Sequence, residues 1–468
     1  MPSDLLEASV EEFEKLGLWW LPADQNQRVA GVLRFSREDG LGLSLIGSFE
    51  ATQRFELREE YPVVQGLTQE GELITLCDCV TTKLGQPFSG VAHQSLAPRS
   101  AYIGGHYSDP QEARFREVAV SYSHLAEWVG RPGFHVEPTD ELPGVGVRVT
   151  YSRPELAPAI TAEGTVSVGF GLELEGGWPR EPRFHETVWM VVEAREAVTV
   201  QQWLSMFIRP LQNLLSLATD RPNAICAIQA WPEHANKPTT WKPWVEVVFS
   251  GDFYEAGRGK LFSSADLVFS YNDVEREFSQ VIQGWLEIAD ALGTVCDLFF
   301  GVQYSPVPME SEFLTAAQGL ESYHRRRREN SEVPEEEHRQ RVDSILTAVR
   351  NEHRDWLEEK LRYSNERTFR SRLKELVGMD GGGTWPWIAD PDGFVQKVVD
   401  ARNYYTHYDS ALEGKAARDA DLYVLCQQLH LLLKAQLLGE LGFQTERCIE
   451  FIQKGSRYRR IAGVCRHE

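Results

Sequence analysis

No stretch of this 468-residue chain reaches the roughly 18 uninterrupted apolar residues that a membrane-spanning helix needs. The richest run, LHLLLKAQLLGELGF at 429–443, carries Lys434 and Glu440 and reads as a buried helix, so no membrane partner is expected. The seven cysteines are odd in number and lack framework spacing, which excludes a disulfide-stapled scaffold and points to a reducing compartment. The opening MPSDLLEASVEEFEKLG has neither the basic region nor the apolar block of a signal peptide, and the expected location is the cytoplasm. Phosphate-cradling loops are missing as well. GMDGGG at 378–383 lacks the Lys-Ser/Thr of a Walker loop, and GTVSVGFG at 164–171 has the wrong glycine spacing for a dinucleotide site. There is no G-x-S-x-G elbow and no repeat of solenoid length.

Positive charge is also scarce. The net charge is −21, which counts against a broad nucleic-acid surface, because phosphate contacts dominate such binding. The balance is uneven, with 22 Lys/Arg against 36 Asp/Glu in residues 1–270 and 26 against 33 in residues 271–468. Local positive potential in a single cleft therefore stays open.

With 42% hydrophobic residues the chain has core material for several domains, and its patterning changes near residue 270. Before it, strand-like runs recur between Gly, Pro and Asn: 28–35, 42–46, 72–80, 147–151, 165–174, 186–193, 224–230 and 244–249. They predict antiparallel sheets, a sandwich or an open barrel, interrupted by a short helix ending near Gly130 and a longer one over 200–219 that Pro210 should kink. After it, apolar residues fall at three-four spacing over 273–300, 310–328, 335–361, 366–377, 392–408, 418–441 and 445–455. The fold class is α+β and multidomain, with a strand-rich recognition region at 1–270 and an all-helical bundle at 271–468.

The most informative residues are Arg402-Asn403-Tyr404-Tyr405-Thr406-His407. In DGFVQKVVDARNYYTHYD, Phe394, Val398, Ala401, Tyr405 and Tyr408 make the apolar stripe of a helix, and Gln396, Asp400, Asn403 and His407 make a polar one. Arginine grips phosphate through paired charge-assisted bonds and histidine moves a proton near pH 7, so the set suits metal-independent phosphodiester cleavage. The plain alternative is a solvated polar face whose arginine pairs with some carboxylate. On an ideal helix Arg402 and His407 also differ by roughly 140°, a gap that a long arginine or a loosened helix end must bridge.

The R-N-x-x-x-H pattern within a helical C-terminal region resembles the HEPN superfamily, whose ribonucleases carry an arginine and a histidine with four to six residues between them; Arg402 and His407 have four. FLTAAQGLESYHRRRR at 313–328 resembles the early helix of the HEPN family found in ApeA-type anti-phage proteins. GLWWLPADQNQRVAGVLRFS and LGLSLIGSF within 17–49, and YPVVQGLTQEGELITLCDCV at 61–80, are similar to the N-terminal domain of those proteins. The resemblance implies an abortive-infection endoribonuclease cutting RNA, with tRNA one candidate. Arg402 and His407 would be catalytic and Asn403 supporting, with no cofactor, a homodimer through the HEPN domain and an unidentified phage-derived trigger. The alternatives are a catalytically silent HEPN module and a non-enzymatic ligand-binding sandwich with a helical dimerisation domain.

Three further features each allow two readings. Arg325, Arg326, Arg327 and Arg328 could bind RNA, or form a solvated helix end with Arg325 paired to Glu321 one turn back. Trp385 and Trp387 could stack bases, or tuck into a neighbouring core. Cys77 and Cys79 would share a strand face, yet no second Cys/His pair with finger spacing follows; His93 and His106 keep only a weak metal option, and no metal site is expected.

Overall fold

The computed structural model describes residues 12–49, 60–85, 92–139, 146–175, 183–232, 244–251, 266–378 and 383–464. The chain divides into two compact units, one of residues 1–264 with 269–286 and the other of 265–268 with 287–468. The acidic N-terminal residues 1–11 and residues 379–382 of the glycine run, both read above from sequence, lie outside the described part.

The N-terminal unit is built on fifteen strands: β1 (Phe13–Leu21), β2 (Asp24–Ser36), β3 (Gly40–Ile46), β4 (Glu60–Thr68), β5 (Leu73–Gly85), β6 (His93–Ala97), β7 (Ser100–Ile103), β8 (Arg114–Tyr122), β9 (Phe134–Thr139), β10 (Gly146–Tyr151), β11 (Ala159–Ile160), β12 (Gly164–Glu175), β13 (Arg183–Thr199), β14 (Ile225–Pro232) and β15 (Val245–Phe249). Antiparallel pairing runs β4-β1-β2-β3-β6, and a β5–β6 ladder closes these strands with β5 into a six-stranded barrel. The barrel is thus closed, where an open one or a sandwich was expected. Closure leaves none of the six with an unpaired flank along its whole length. From β5 the sheet continues through β7, β15, β14, β8, β13, β12 and β11, while β9 and β10 form a separate hairpin.

Period-two alternation sets the barrel interior. In β2 the inward residues Val29, Leu33 and Phe35 are buried, as are Leu41, Leu43 and Leu45 of β3. Trp19 of β1 is fully buried among them, and its indole N–H donates to the Gly31 carbonyl at 3.1 Å. Gly66 on the neighbouring strand is required for this fit, since a Cβ there would stand 2.3 Å from two atoms of the Trp19 ring.

Among the described residues, four helices belong with these strands, α1 (Leu125–Val129), α2 (Val200–Trp203), α3 (Arg209–Thr219) and α4 (Tyr271–Val274), and α5 (Phe278–Ala291) begins in this unit and passes into the other after Leu286. Between α2 and α3 the backbone makes a π-helical turn over Leu204–Ile208, and Pro210 sits in the first turn of α3. The expected distortion therefore falls just before the proline, where its missing N–H is spared. The Pro210 carbonyl accepts a hydrogen bond from the Trp285 indole at 2.6 Å.

The C-terminal unit is helical: α6 (Gly293–Tyr304), α7 (Met309–Arg327), α8 (Glu335–Ala348), α9 (Asn351–Leu361), α10 (Phe369–Val377), α11 (Pro391–His407), α12 (Asp419–Glu440), α13 (Thr445–Lys454) and α14 (Ser456–Val464). The expected single segments 273–300 and 335–361 are each broken, the second where Arg350 adopts an extended conformation as the cap of α9. Neither α8 nor α9 buries a residue, whereas α12 buries Leu422, Leu425, Leu429, Leu432 and Leu433 at its centre and packs against α7. No helix among the described residues is long and apolar enough to cross a membrane.

Candidate active site

The motif helix α11 starts and stops on local signals. Asp390 caps it by accepting from the Gly393 amide at 3.1 Å, and Pro391 occupies the first turn, where no N–H is needed. Phe394, Val395, Val398, Ala401 and Tyr405 are buried where α11 packs against α7, α10 and α12. Tyr408 departs from the expected stripe. It lies one residue past the helix in the left-handed region (φ +50°), 67% exposed, so the helix ends directly on His407.

Arg402 is half-buried, and its guanidinium is steered by three neighbours. One Nη lies 3.8 Å from a Glu321 carboxylate oxygen on α7, the other donates to the Asn403 side-chain oxygen at 3.4 Å, and the group stands 5.7 Å from the Phe369 ring centroid. His407 is exposed, with no hydrogen bond or ion pair among the described residues. The last turn stays helical through His407, with the Thr406 hydroxyl donating to the Arg402 carbonyl at 2.7 Å. The roughly 140° angular gap between Arg402 and His407 is therefore not closed by unwinding.

Around the motif, Tyr404, Tyr405 and Tyr408 form an aromatic cluster with centroids 5.1 to 6.4 Å apart. Arg418 lies over the Tyr404 ring at 5.6 Å, reaches its hydroxyl at 3.3 Å, and pairs with Glu413 at 2.9 Å. Glu321, Phe369 and Arg418 were not singled out in sequence as parts of the motif's surroundings. They come from other helices or loops, and no spacing rule links them to Arg402.

The basic run ends α7 with most of its donors occupied. Arg325 meets Glu321 at 3.5 Å and Glu366 at 3.3 Å, Arg326 donates to the Ala291 carbonyl and the Thr294 hydroxyl, and Arg327 pairs with Glu440 at 3.1 Å. Arg328 caps the helix and has no ion pair among the described residues. Arg327 and Arg328 line a cavity of about 590 Å³ with Tyr323, Trp385, Gln436 and Glu440. The preceding His324 is fully buried beside Arg372, which is also fully buried. The Arg372 guanidinium donates to His324 Nδ1 at 3.1 Å, so the ring carries its proton on Nε2 and donates to Glu375 at 3.1 Å.

Trp385 and Trp387 tuck inward. Each is 6% exposed and they stack on each other at 5.3 Å, which leaves no open face for a base. Cys77 and Cys79 are both buried, and burial pushes the Cys77 thiol up to about 12 and the Cys79 thiol higher still. His106 is committed to the Gly66 carbonyl at 2.7 Å. No group of three metal-binding side chains forms at these four residues among the described part of the chain.

Residues 14–285 match the family described as ApeA N-terminal domain 1, and residues 314–447 match the one described as Apea-like HEPN. The chain belongs to the ApeA family. The first match ends beside Leu286, the last residue of the N-terminal unit, and the second spans α7 to α12 with the whole Arg402–His407 motif. The pair of ApeA domains supports a HEPN nuclease-type anti-phage protein. Neither a curated protein nor a solved structure matches the chain.

Proposed function

We propose that the helical unit is a metal-independent endoribonuclease of the HEPN type, acting in abortive infection. The observation that carries this reading is the last turn and a half of α11. There a permanent cation and a proton-transfer group lie on a helix end within the HEPN-matched segment, and His407 is exposed and unengaged. An RNA 2′-hydroxyl attacks the adjacent phosphate and the P–O5′ bond breaks; His407 of one copy takes the 2′-hydroxyl proton, His407 of the other gives one to the leaving 5′-oxygen, and Arg402 stabilises the charge that builds on the non-bridging oxygens. Asn403, beside Arg402, holds the guanidinium or the scissile phosphate, and Arg328, with its neighbours Arg325 to Arg327, meets the flanking backbone. Transesterification needs a base and an acid, and one copy offers a single His407. Two copies related by a two-fold axis would supply both to one cleft, so the active form is a homodimer through the HEPN domain. The N-terminal unit receives the phage-derived trigger, and tRNA is among the candidate substrates.

The product decides the chemistry. Cleavage should proceed in EDTA without added magnesium and leave a 2′,3′-cyclic phosphate, and an RNA carrying a 2′-O-methyl group at the cut site should resist. Cutting that stops on chelation and returns with magnesium would contradict the mechanism. A second reading, a silent HEPN module, draws on Glu321, whose carboxylate already faces Arg402 at 3.8 Å. Under that reading the folded protein cuts no RNA under any of these conditions.

A further inference from the structure

Within the helical unit, one cluster brings a carboxylate, a thiol and an imidazole together and takes no part in the chemistry above. Glu312, on the first turn of α7, faces Cys426 and His430, which lie one turn apart on α12, and the three donor groups lie within 4.8 Å of one another. Cys426 is 0% exposed and His430 1%. Glu312 stands 3.0 Å from His430 Nε2, but not along a hydrogen-bonding direction, and neither ring nitrogen has a hydrogen-bond partner among the described residues. A buried polar group without a hydrogen bond costs about 1–3 kcal/mol, and with Glu312 beside Nε2 the imidazole, the carboxylate and the thiol converge on one buried point.

We propose that Glu312, Cys426 and His430 bind a zinc-class divalent cation that ties α7 to α12. Imidazole nitrogen, thiolate sulfur and carboxylate oxygen are the donor types such an ion accepts, and three protein ligands leave a fourth position for water. Binding releases one proton, from the Cys426 thiol. Two ligand charges then balance the ion. Arg457, 3.5 Å from Glu312 and hydrogen-bonded to Gln427, is the cation that pairs with the carboxylate when the ion is absent, and Lys434 adds positive potential from the next turn of α12. The Phe299 ring, 5.8 Å from the imidazole, covers the site on another side. The ion would hold the helix that carries Glu321 against the most buried helix of the unit, with its fourth position open to water.

The test is elemental analysis of the full chain purified without chelator or nickel resin. The wild type should hold about one zinc ion per chain, as expected for one three-ligand site. Cys426→Ser and Glu312→Gln should each lose it while keeping a helical circular dichroism spectrum. His407→Ala should keep it, so the site stands or falls separately from the nuclease reading. Cobalt added to chelated wild type should give a sulfur-to-cobalt charge-transfer band that Cys426→Ser lacks. Should that variant fail to fold, chelated wild type decides by its melting temperature, which should rise on adding zinc. Wild type that carries no metal, gives no cobalt band and does not respond to zinc would overturn the proposal.

Discussion

The two units bury different chemistry. Among the described residues, the polar side chains inside the N-terminal unit are hydroxyls and amides such as Gln65, Thr75, Gln94, Gln212 and Asn223, with His124 the one buried base. The helical unit buries four bases: His324, Arg372, His430 and Lys434. Neutral groups can be satisfied by fixed geometry at little cost, as when the Gln94 amide donates to the Tyr61 hydroxyl at 3.1 Å. Buried bases hold together only while each partner stays in place. The barrel side of the chain is thus organised for a stable shape. On the helical side Glu321 serves both Arg325 and Arg402.

The largest stability effect should therefore fall in the helical unit. Arg372→Ala leaves His324 Nδ1 and the Asn330 oxygen without their donor, and removing one member of a buried charged network costs about 3–5 kcal/mol. Calorimetry of the full chain should show the helical transition lowered and the N-terminal one unmoved. A loss below about 1 kcal/mol would break the contrast, since that is the scale of exposed pairs. Gly66→Ala comes next. It drives a methyl into the fully buried Trp19 ring, and overpacking of this kind costs about 1–3 kcal/mol, here in the N-terminal transition alone. Wild-type stability in this variant would mean that the Trp19 contact is not a tight one.

The third effect is a pH dependence. Burial, with Arg221 nearby, lowers His124 from its ordinary 6.5 to about 4. Above pH 6.5 the ring is neutral whether the chain is folded or not. As pH falls towards 4 the unfolded chain takes up the proton first, and stability is lost over that window. The N-terminal transition should drop across it, and less so in His124→Gln. Equal slopes in wild type and variant would remove His124 from the account.

Much of this was legible in the sequence where the physics is local. The motif helix was expected over 392–408 and runs Pro391–His407, because its apolar stripe, its Asp390 cap and its Pro391 start all agree. Strands β2, β3 and β12 showed in their alternation. β8 did not show as a strand, since its second half is buried at every position and so carries no period-two signal. β13 runs past its expected end at Glu193 to Thr199, with a register shift between Glu193 and Val198 that interrupts the pattern. At the site, Arg402, Asn403 and His407 were legible as one run. Glu321 and Arg418 were not tied to them, because helix packing alone brings them to Arg402 and Tyr404. Closure of the barrel by β5 and β6 is likewise a long-range pairing with no local signature.

The central claim is that Arg402 and His407 cut RNA. The most direct measurement is RNA cleavage by purified full-length wild type, Arg402→Ala, Arg402→Lys and His407→Ala, each checked by circular dichroism and each triggered in the same way. His407 is exposed on the side away from the apolar stripe of α11, so His407→Ala should fold and melt as wild type does, while Arg402, half-buried at the edge of that stripe, is compared only in variants that keep the wild-type spectrum. Loss of a proton-transfer group costs typically about 10²–10⁴-fold, and cleavage by His407→Ala should fall by that much. Arg402→Lys should fare little better than Arg402→Ala, since an ammonium cannot fork to two phosphate oxygens. Folded variants that cut RNA at the wild-type rate would contradict the assignment.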